Sequence, residues 1–368
     1  MEIIKALGGK TKPLLKREVL CFNIREMKIQ ENVLLKDFTT FQIGGPARYF
    51  AIAKDKTDLR ELITFAKSRK LPVFVLGGGS NLLISDHGFA GLIIKNEMKG
   101  IKFSDLPVLA GHNSGKVILE IGAGEIWDDV VALSVIRNLS GLENLSGIPG
   151  TVGGAAVQNA GAYGVEFSNH LISVEGLNLS NGKEFVLKKA DCQYGYRDSF
   201  FKKNKKFVIT AVTLELDKGS NFVLTYAGLK SKLEKEGAIT LEKVRKAVLE
   251  IRGEKLPDWH KIGTAGSFFK NPVITVAQYN KLKDKYPQIP GFPDGTGTIK
   301  VPLAWILDNI CGLKSFKEGN VGLYEKQPIV LVNFGEATEK EITDFSKKIK
   351  NIVKEKMGIE IEEEVEKI

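Results

Sequence analysis

The residues best suited to chemistry lie in three separate segments of a 368-residue chain. In GTAGSFFKNP, Gly263 to Pro272, Ser267 stands between a glycine and two phenylalanines, with Lys270 and Asn271 just beyond. Glycine allows close approach to the backbone and the two rings can exclude water, a setting that suits a hydroxyl held in a closed pocket. Alone, the same pattern also describes a turn leading into a buried strand. In GYRDSFF, Gly195 to Phe201, Tyr196 and Arg197 sit between a glycine and an acidic turn residue. An arginine there can hold a carboxylate through two parallel hydrogen bonds, or simply pair with Asp198 at the surface. In GIEIEEEVEKI, from Gly358, acidic residues alternate with Ile359, Ile361 and Val365. A strand over this segment places Glu360, Glu362 and Glu364 on one face and Glu363 on the other. Such a face is usually only solvated, but one carboxylate on a closing strand can reach a site built by another part of the chain.

Positioning these groups requires elements that the pattern also predicts. From Phe50 to Ile94 strand and helix alternate: Thr57 is a candidate cap for a helix with Leu59, Leu62, Ile63 and Ala66 on one face, followed by the strand PVFVL from Pro72. That strand runs into GGGSN, Gly77 to Asn81, where backbone N–H groups can converge on an anion without side-chain obstruction. A strand near Val117 to Ile121 and a helix from Glu125 to Asn138 precede a second stretch, Gly141 to Gly164, with seven glycines. Either loop alone is explained by tight turning, and the two together favour a bound phosphate. The dinucleotide fingerprint is not completed, since Gly77 and Gly79 lead to Leu82, and Gly122 and Gly124 to Trp127, where its last glycine belongs. Between about Ile172 and Leu216, SVEGLNLS, KEFVLKK and FVITAVTLEL read as antiparallel strands with a turn at Asn181-Gly182. Further on, Thr240 opens a helix with Val244, Val248 and Ile251 on one face. Thr338 and Glu341 form a capping box for another, through about Lys356, with Ile342, Phe345, Ile349 and Ile352 as its buried stripe.

Composition narrows the function classes. Hydrophobic residues at 43% and charged residues at 26% describe an ordinary globular chain. No apolar run approaches the length of a membrane helix, and Lys10, Lys12, Lys16 and Arg17 interrupt the first thirty residues, so neither membrane insertion nor secretion is expected. Cys21, Cys192 and Cys311 lie far apart and their odd number closes no disulfide framework, which fits a reducing cytoplasm. Neither these nor His87, His112, His170 and His260 show metal-ligand spacing, and no catalytic metal is expected. The net charge of +9 is spread along the chain, without the aromatic-rich basic stripe of a nucleic-acid binder, and remains compatible with a small phosphorylated ligand. The densest cluster, KKNKK from Lys202 to Lys206, is expected to cap a hairpin in solvent. GGKT at Gly8 to Thr11 looks like the end of a phosphate-binding loop, but Ile4 stands where the first glycine belongs.

Taken together, the motifs TTFQIGGPA, LGGGSNLL, GLENLSGIPGTVGG with QNAGAYG, GYRDSFFK, KLPD and GTAGSFFKNP are those of one family, in its order and at its spacing. The run from about Thr39 to Val365 resembles the UDP-N-acetylenolpyruvoylglucosamine reductases, the MurB flavoenzymes of bacterial cell-wall synthesis. The resemblance implies an α+β protein in which a small α/β domain (residues 29–101 plus 357–368) and a β-rich α+β domain (102–236) bind noncovalent FAD. A third α+β domain (237–356) binds substrate, and residues 1–28 form an extension that the resemblance does not cover. A monomer is expected, with a UDP-sugar as substrate and NADPH as a transient co-substrate in the same cleft.

The same resemblance assigns residues. Gly77, Gly78, Gly79, Ser80, Asn81 and Leu82, with Ile148, Pro149, Gly150, Gly153, Gly154 and Ala155, match the positions that hold the FAD diphosphate and flavin. The implied chemistry reduces an enolpyruvyl ether to a lactyl ether by hydride delivery from flavin N5, with Ser267 donating the proton and Arg197 and Glu364 stabilising the enolate-like intermediate. Tyr196, Tyr226, Lys255, Asn271 and Gln327 match substrate-contacting positions, and the presence of Tyr226 resembles the type I enzymes. One departure stands out: the family's last strand commonly reads LEPEV, and here Glu363 replaces the proline, so the choice of Glu364 over Glu362 depends on register.

Overall fold

The computed structural model describes residues 28–105, 115–219, 221–234 and 237–368; the GGKT segment, Cys21 and His112 lie outside them. Its first sheet has the order Gln30–Leu34, Pro46–Ala53, Phe89–Asn96, Val73–Leu76, with the first pair antiparallel and the others parallel. The helix Lys56–Ser68 buries Leu59, Leu62, Ile63 and Ala66, the four residues its periodicity singles out. Its cap is Asp55 and not Thr57: the Asp55 carboxylate accepts from the amides of Thr57 and Asp58. Both residue types cap helices, and the extended backbone at Asp55 places the charged acceptor where the first free amides need it.

The second sheet is antiparallel, in the order Glu184–Lys188, Leu171–Asn178, Phe207–Lys218, Lys116–Gly122, Ile101–Asp105, with Leu139–Ser140 paired to the end of the long central strand. Trp127, from the helix Trp127–Ile136, and Phe167 are fully buried against it at 5.7 Å between ring centroids. The lysine cluster does not cap a hairpin. Ser199 caps the short helix Phe200–Lys203, burial of Phe201 fixes its rotation, and half-buried Lys202 is thereby turned toward the Arg197 carbonyl while Lys203 pairs with Asp198 outside.

A third sheet, Gly263–Ser267, Gln327–Asn333, Val321–Tyr324, Lys317–Glu318, is also antiparallel. It shares its core with the helix Glu339–Met357, whose capping box is made by Thr338 and Glu341 and whose buried face includes Ile342, Phe345 and Ile349; Ile352 is only half-buried, and Val353, one residue on, takes the buried place. The first and third regions are stitched together at the TTF motif. Thr264 N donates to Thr40 O, Thr40 Oγ1 to Thr264 O, and Asn333 Nδ2 to Phe41 O.

The closing segment alternates as its sequence suggests, with Ile359, Ile361 and Val365 buried. It is not one long strand. Only Glu366–Lys367 is a strand, parallel to Leu82–Leu83, and Glu363 makes an isolated bridge to Phe269. Successive backbone groups find partners in different regions, Glu362 O accepting from Lys270 N and Glu366 N donating to Asn81 O, so the segment ties the third region to the GGGSN loop.

Candidate active site

A cavity of about 330 Å³ runs between these regions. All twelve residues that the sequence assigns to a cofactor line it, and so do Ser267, Arg197 and Glu364. Tyr196, Tyr226, Lys255, Asn271 and Gln327 are not among its lining residues. Four of them form separate contacts, Lys255 Nζ donating to Tyr226 Oη at 2.9 Å and Tyr196 Oη accepting from the Asn271 backbone amide at 3.4 Å, while Asn271 Oδ1 accepts from Leu303 N; Gln327 opens the strand Gln327–Asn333.

The glycine-walled end is shaped by missing side chains. A Cβ on Gly78 would lie 2.4 Å from the Cα of Gly150, so the two loops touch backbone to backbone. Gly79 has φ +65° and a Cβ there would lie 1.9 Å from Phe38 O. Both loops leave donors free. Among the described residues, the amides of Gly78, Gly79 and Ser80 in the first loop and of Ile148, Gly150 and Thr151 in the second donate no hydrogen bond, while Val152 N and Gly153 N donate to Glu125 O and Ala123 O. Either loop can therefore offer amides to an anion, and the second is also pinned where its helix begins.

At the other end the cavity is lined by polar side chains. Arg197 Nε donates to Glu364 Oε1 at 2.9 Å and Nη2 to Gly161 O at 2.6 Å; Gln158 Nε2 reaches the same Glu364 oxygen at 3.3 Å. The pair is largely shielded, with side-chain exposures of 19% and 12%. Arg197 thus bypasses its neighbour Asp198. Glu362, by contrast, is 75% exposed and pairs with Lys270, and Glu363 turns to Ser346 and Lys367. Burial of the isoleucines and the valine puts Glu362 and Glu364 on the same face, and the path of the segment separates them: Glu364 N donates to Phe268 O and its carbonyl accepts from Asn81 Nδ2 beside the cavity, whereas Glu362 O accepts from Lys270 N. Arg197 carries φ +54°, a conformation that costs a residue with a Cβ about 1–2 kcal/mol.

Ser267 ends the strand Gly263–Ser267 beside an irregularity in which Thr264 pairs with Val332 and Ser267 with Val330. The extra residue, with Gly266 at φ +74°, re-aims the chain at the cavity. Among the described residues the Ser267 hydroxyl makes no hydrogen bond, so its proton is available to a ligand. Phe268 and Phe269 do not cover it. Both rings are fully buried in the core under the third sheet, 5.1 Å apart edge to face, where apolar side chains surround them.

Sequence reasoning missed Lys202, Lys205, Gln158 and Arg252, which also line the cavity. Arg252 donates to Gly147 O, and burial lowers its pKa from the usual arginine range. Its helix, Leu241–Lys255, carries Arg245, Arg252 and Lys255 at helical spacing, a signal that could have found it. Burial, and then the Lys270 charge, lower the Lys202 ammonium, opposed by Glu364.

Residues 47–188 match the family model described as an FAD binding domain, and residues 257–368 that of the UDP-N-acetylenolpyruvoylglucosamine reductase C-terminal domain. The UDP-N-acetylenolpyruvoylglucosamine reductase of Pseudomonas aeruginosa is 38% identical over 341 residues, spanning 92% of this chain and 98% of that protein. The chain belongs to this reductase family. A reductase of the same name from Bacteroides fragilis is also 38% identical, over 92% of this chain and 99% of its own length. The crystal structure of the reductase (MurB) from Thermus caldophilus superposes with a TM-score of 0.64 at 25% identity, covering 93% of this chain and 99% of that one. Membership in the reductase family agrees with the α+β architecture and with glycine loops that fail the dinucleotide fingerprint. Among the described residues, no helix is long and apolar enough to cross a membrane.

Proposed function

We propose that this protein reduces UDP-N-acetylglucosamine enolpyruvate to UDP-N-acetylmuramate with NADPH, as a noncovalent FAD enzyme of peptidoglycan precursor synthesis in the cytoplasm. The observation that carries the reading is the convergence of Ser267, Arg197 and Glu364 at one end of a cavity whose other end is a backbone cradle. The donor set suits FAD. Gly78, Gly79 and Ser80 present unpartnered amides to its diphosphate, and Gly150, Gly153 and Gly154 let the second loop come close to a flat ring system beside the apolar side chains of Ile148 and Pro149. When bound, FAD supplies two-electron chemistry, taking a hydride from the nicotinamide and giving it to the vinyl carbon of the enolpyruvyl ether.

The chain's own groups do the rest. Arg197, oriented by Glu364, stabilises the negative charge that develops toward the substrate carboxylate. The Ser267 hydroxyl donates the proton to the adjacent carbon; a hydroxyl is a weak acid, but a fixed carbanion-like acceptor makes transfer feasible. Tyr226, Lys255, Tyr196, Asn271 and Gln327 contact the diphosphate and sugar in the manner of a type I enzyme. In this reading residues 29–101 plus 357–368 and 102–236 hold the cofactor, residues 237–356 close over the substrate, and the protein acts as a monomer.

One anaerobic experiment tests the reading. The purified yellow protein is reduced with NADPH, and UDP-N-acetylglucosamine enolpyruvate is then added. Return of the oxidised flavin spectrum with stoichiometric UDP-N-acetylmuramate is expected; a flavin that stays reduced removes the proposal.

A further inference from the structure

Arg197 occupies the third position of a tight turn, Gly195 to Asp198, closed by Asp198 N to Gly195 O at 3.1 Å and by Gly195 N to Asp198 O at 3.0 Å. At φ +54° this position favours glycine or asparagine, so an arginine persists there only if its surroundings over-determine the turn. Asn159 Nδ2 grips one end, at Gly195 O, at 2.9 Å. The Arg197 carbonyl itself is gripped by Lys202 Nζ at 3.1 Å. The path that brings the ammonium back is short and well anchored: Ser199 Oγ donates to Val157 O, accepts from Lys202 N, and caps the helix Phe200–Lys203.

Burial, and then the charge of Lys270, disfavour an ammonium at this place, and the carboxylates of Glu364, Glu366 and Asp198 oppose them. The geometry singles the group out: Nζ donates to the main-chain carbonyl of the one residue of the turn that is held at positive φ.

We propose that Lys202 is a positioning residue that clamps the Arg197 carbonyl and thereby holds the left-handed turn that delivers the guanidinium to Glu364. This rests on the reading of Arg197 and Glu364 as the groups that serve the enolpyruvyl carboxylate. Without the clamp the Arg197–Asp198 peptide shifts and Asp198 N loses Gly195 O, the peptide before Arg197 then flips and brings φ to negative values, and Nε leaves Glu364. Flavin reduction by NADPH uses neither group and continues.

The test compares wild-type holoprotein with K202M, K202R and N159A in single-turnover half-reactions. In K202M, reoxidation by the enolpyruvyl substrate slows by about tenfold or more, the relaxation of one strained residue converted to rate, while reduction by NADPH keeps its rate. K202R recovers most of the loss, because a guanidinium can donate to the same oxygen. N159A, which loosens the turn without touching the Arg197 carbonyl, loses less. If K202M loses its flavin, K202Q, whose amide can also donate, takes its place with an intermediate rate expected. An unchanged reoxidation rate, equal slowing of both half-reactions, or no recovery in K202R overturns the proposal. So does a K202M crystal structure with Arg197 still at positive φ on Glu364, whatever the substrate. Failure of the wild type to reoxidise counts against the enolpyruvyl reading alone.

Discussion

Where Gly78 meets Gly150, the cavity wall is bare backbone, and no Cβ fits between the two loops. Where Arg197 meets Glu364, the lining is paired side chains from segments 167 residues apart, held off solvent by the closing segment. The first kind of site is written by omission: glycine is required wherever two chains and a ligand must share the same space. The second is written by convergence, because a serine, an arginine and a glutamate acquire meaning only when the fold brings them to one end. The two ends should therefore fail differently, the backbone end in affinity and the side-chain end in rate.

The largest effect is expected at Ser267. Replacing it with alanine removes the proton donor and should lower turnover of the enolpyruvyl substrate by about 10²–10⁴-fold, the usual worth of a positioned acid. Flavin affinity and the rate of reduction by NADPH should not change. Stopped-flow measurement of the two half-reactions checks this, and a matching loss of bound flavin would erase the distinction between the ends.

Gly78→Ala tests the other end. The added carbon meets backbone on the facing loop, which cannot rotate away, so the loops must part at a cost of roughly 1–3 kcal/mol. Flavin titration should show the loss as weaker binding, while the fraction that remains loaded turns over at the normal rate. A slower loaded fraction would mean that the cradle also sets the geometry of the reacting end.

The same contrast explains what could be read from the residues in advance. Helices were legible where a cap and a 3.6-residue stripe agree, as at Thr240 and Thr338. The glycine loops were legible because their signal is local. Lys202 was misplaced because its neighbours Lys203, Lys205 and Lys206 make an ordinary solvated run. Only the burial of Phe201 and the cap at Ser199 turn that one side chain inward. The serine's phenylalanines were misread for the opposite reason. Their apolar character is plain, but which core they enter depends on the third sheet, a set of pairings that no local pattern specifies. Glu364 was distinguishable from Glu362 only in the fold, through main-chain contacts with Phe268 and Asn81 that bring it to the cavity while Glu362 pairs with Lys270 outside.

Asp128 offers a smaller test, at the support of the second glycine loop. Its carboxylate takes both Arg245 guanidinium nitrogens, at 2.7 and 2.8 Å, and the Gly147 amide at 2.6 Å, while Gly147 O accepts from Arg252 in the cavity. Burial alone raises the Asp128 carboxyl, but the hydrogen bonds from Arg245 and Gly147, with the charges of Arg245 and Arg252, outweigh it and hold it below its ordinary value near 3.8. A carboxyl with a lowered folded-state pKa contributes stability above its unfolded value, and that contribution fades as pH falls through the folded one. Asp128→Asn should therefore destabilise the protein by roughly 1–3 kcal/mol at neutral pH. The difference from wild type should shrink below about pH 4, as thermal melts across pH would show. If the loop beyond Gly147 is held in place by this ion pair, Asp128→Asn also weakens flavin binding in the same pH range. If flavin binding is unmoved while stability falls, the wall at Ile148 to Ala155 stands on its own packing, and the two ends are independent down to their supports.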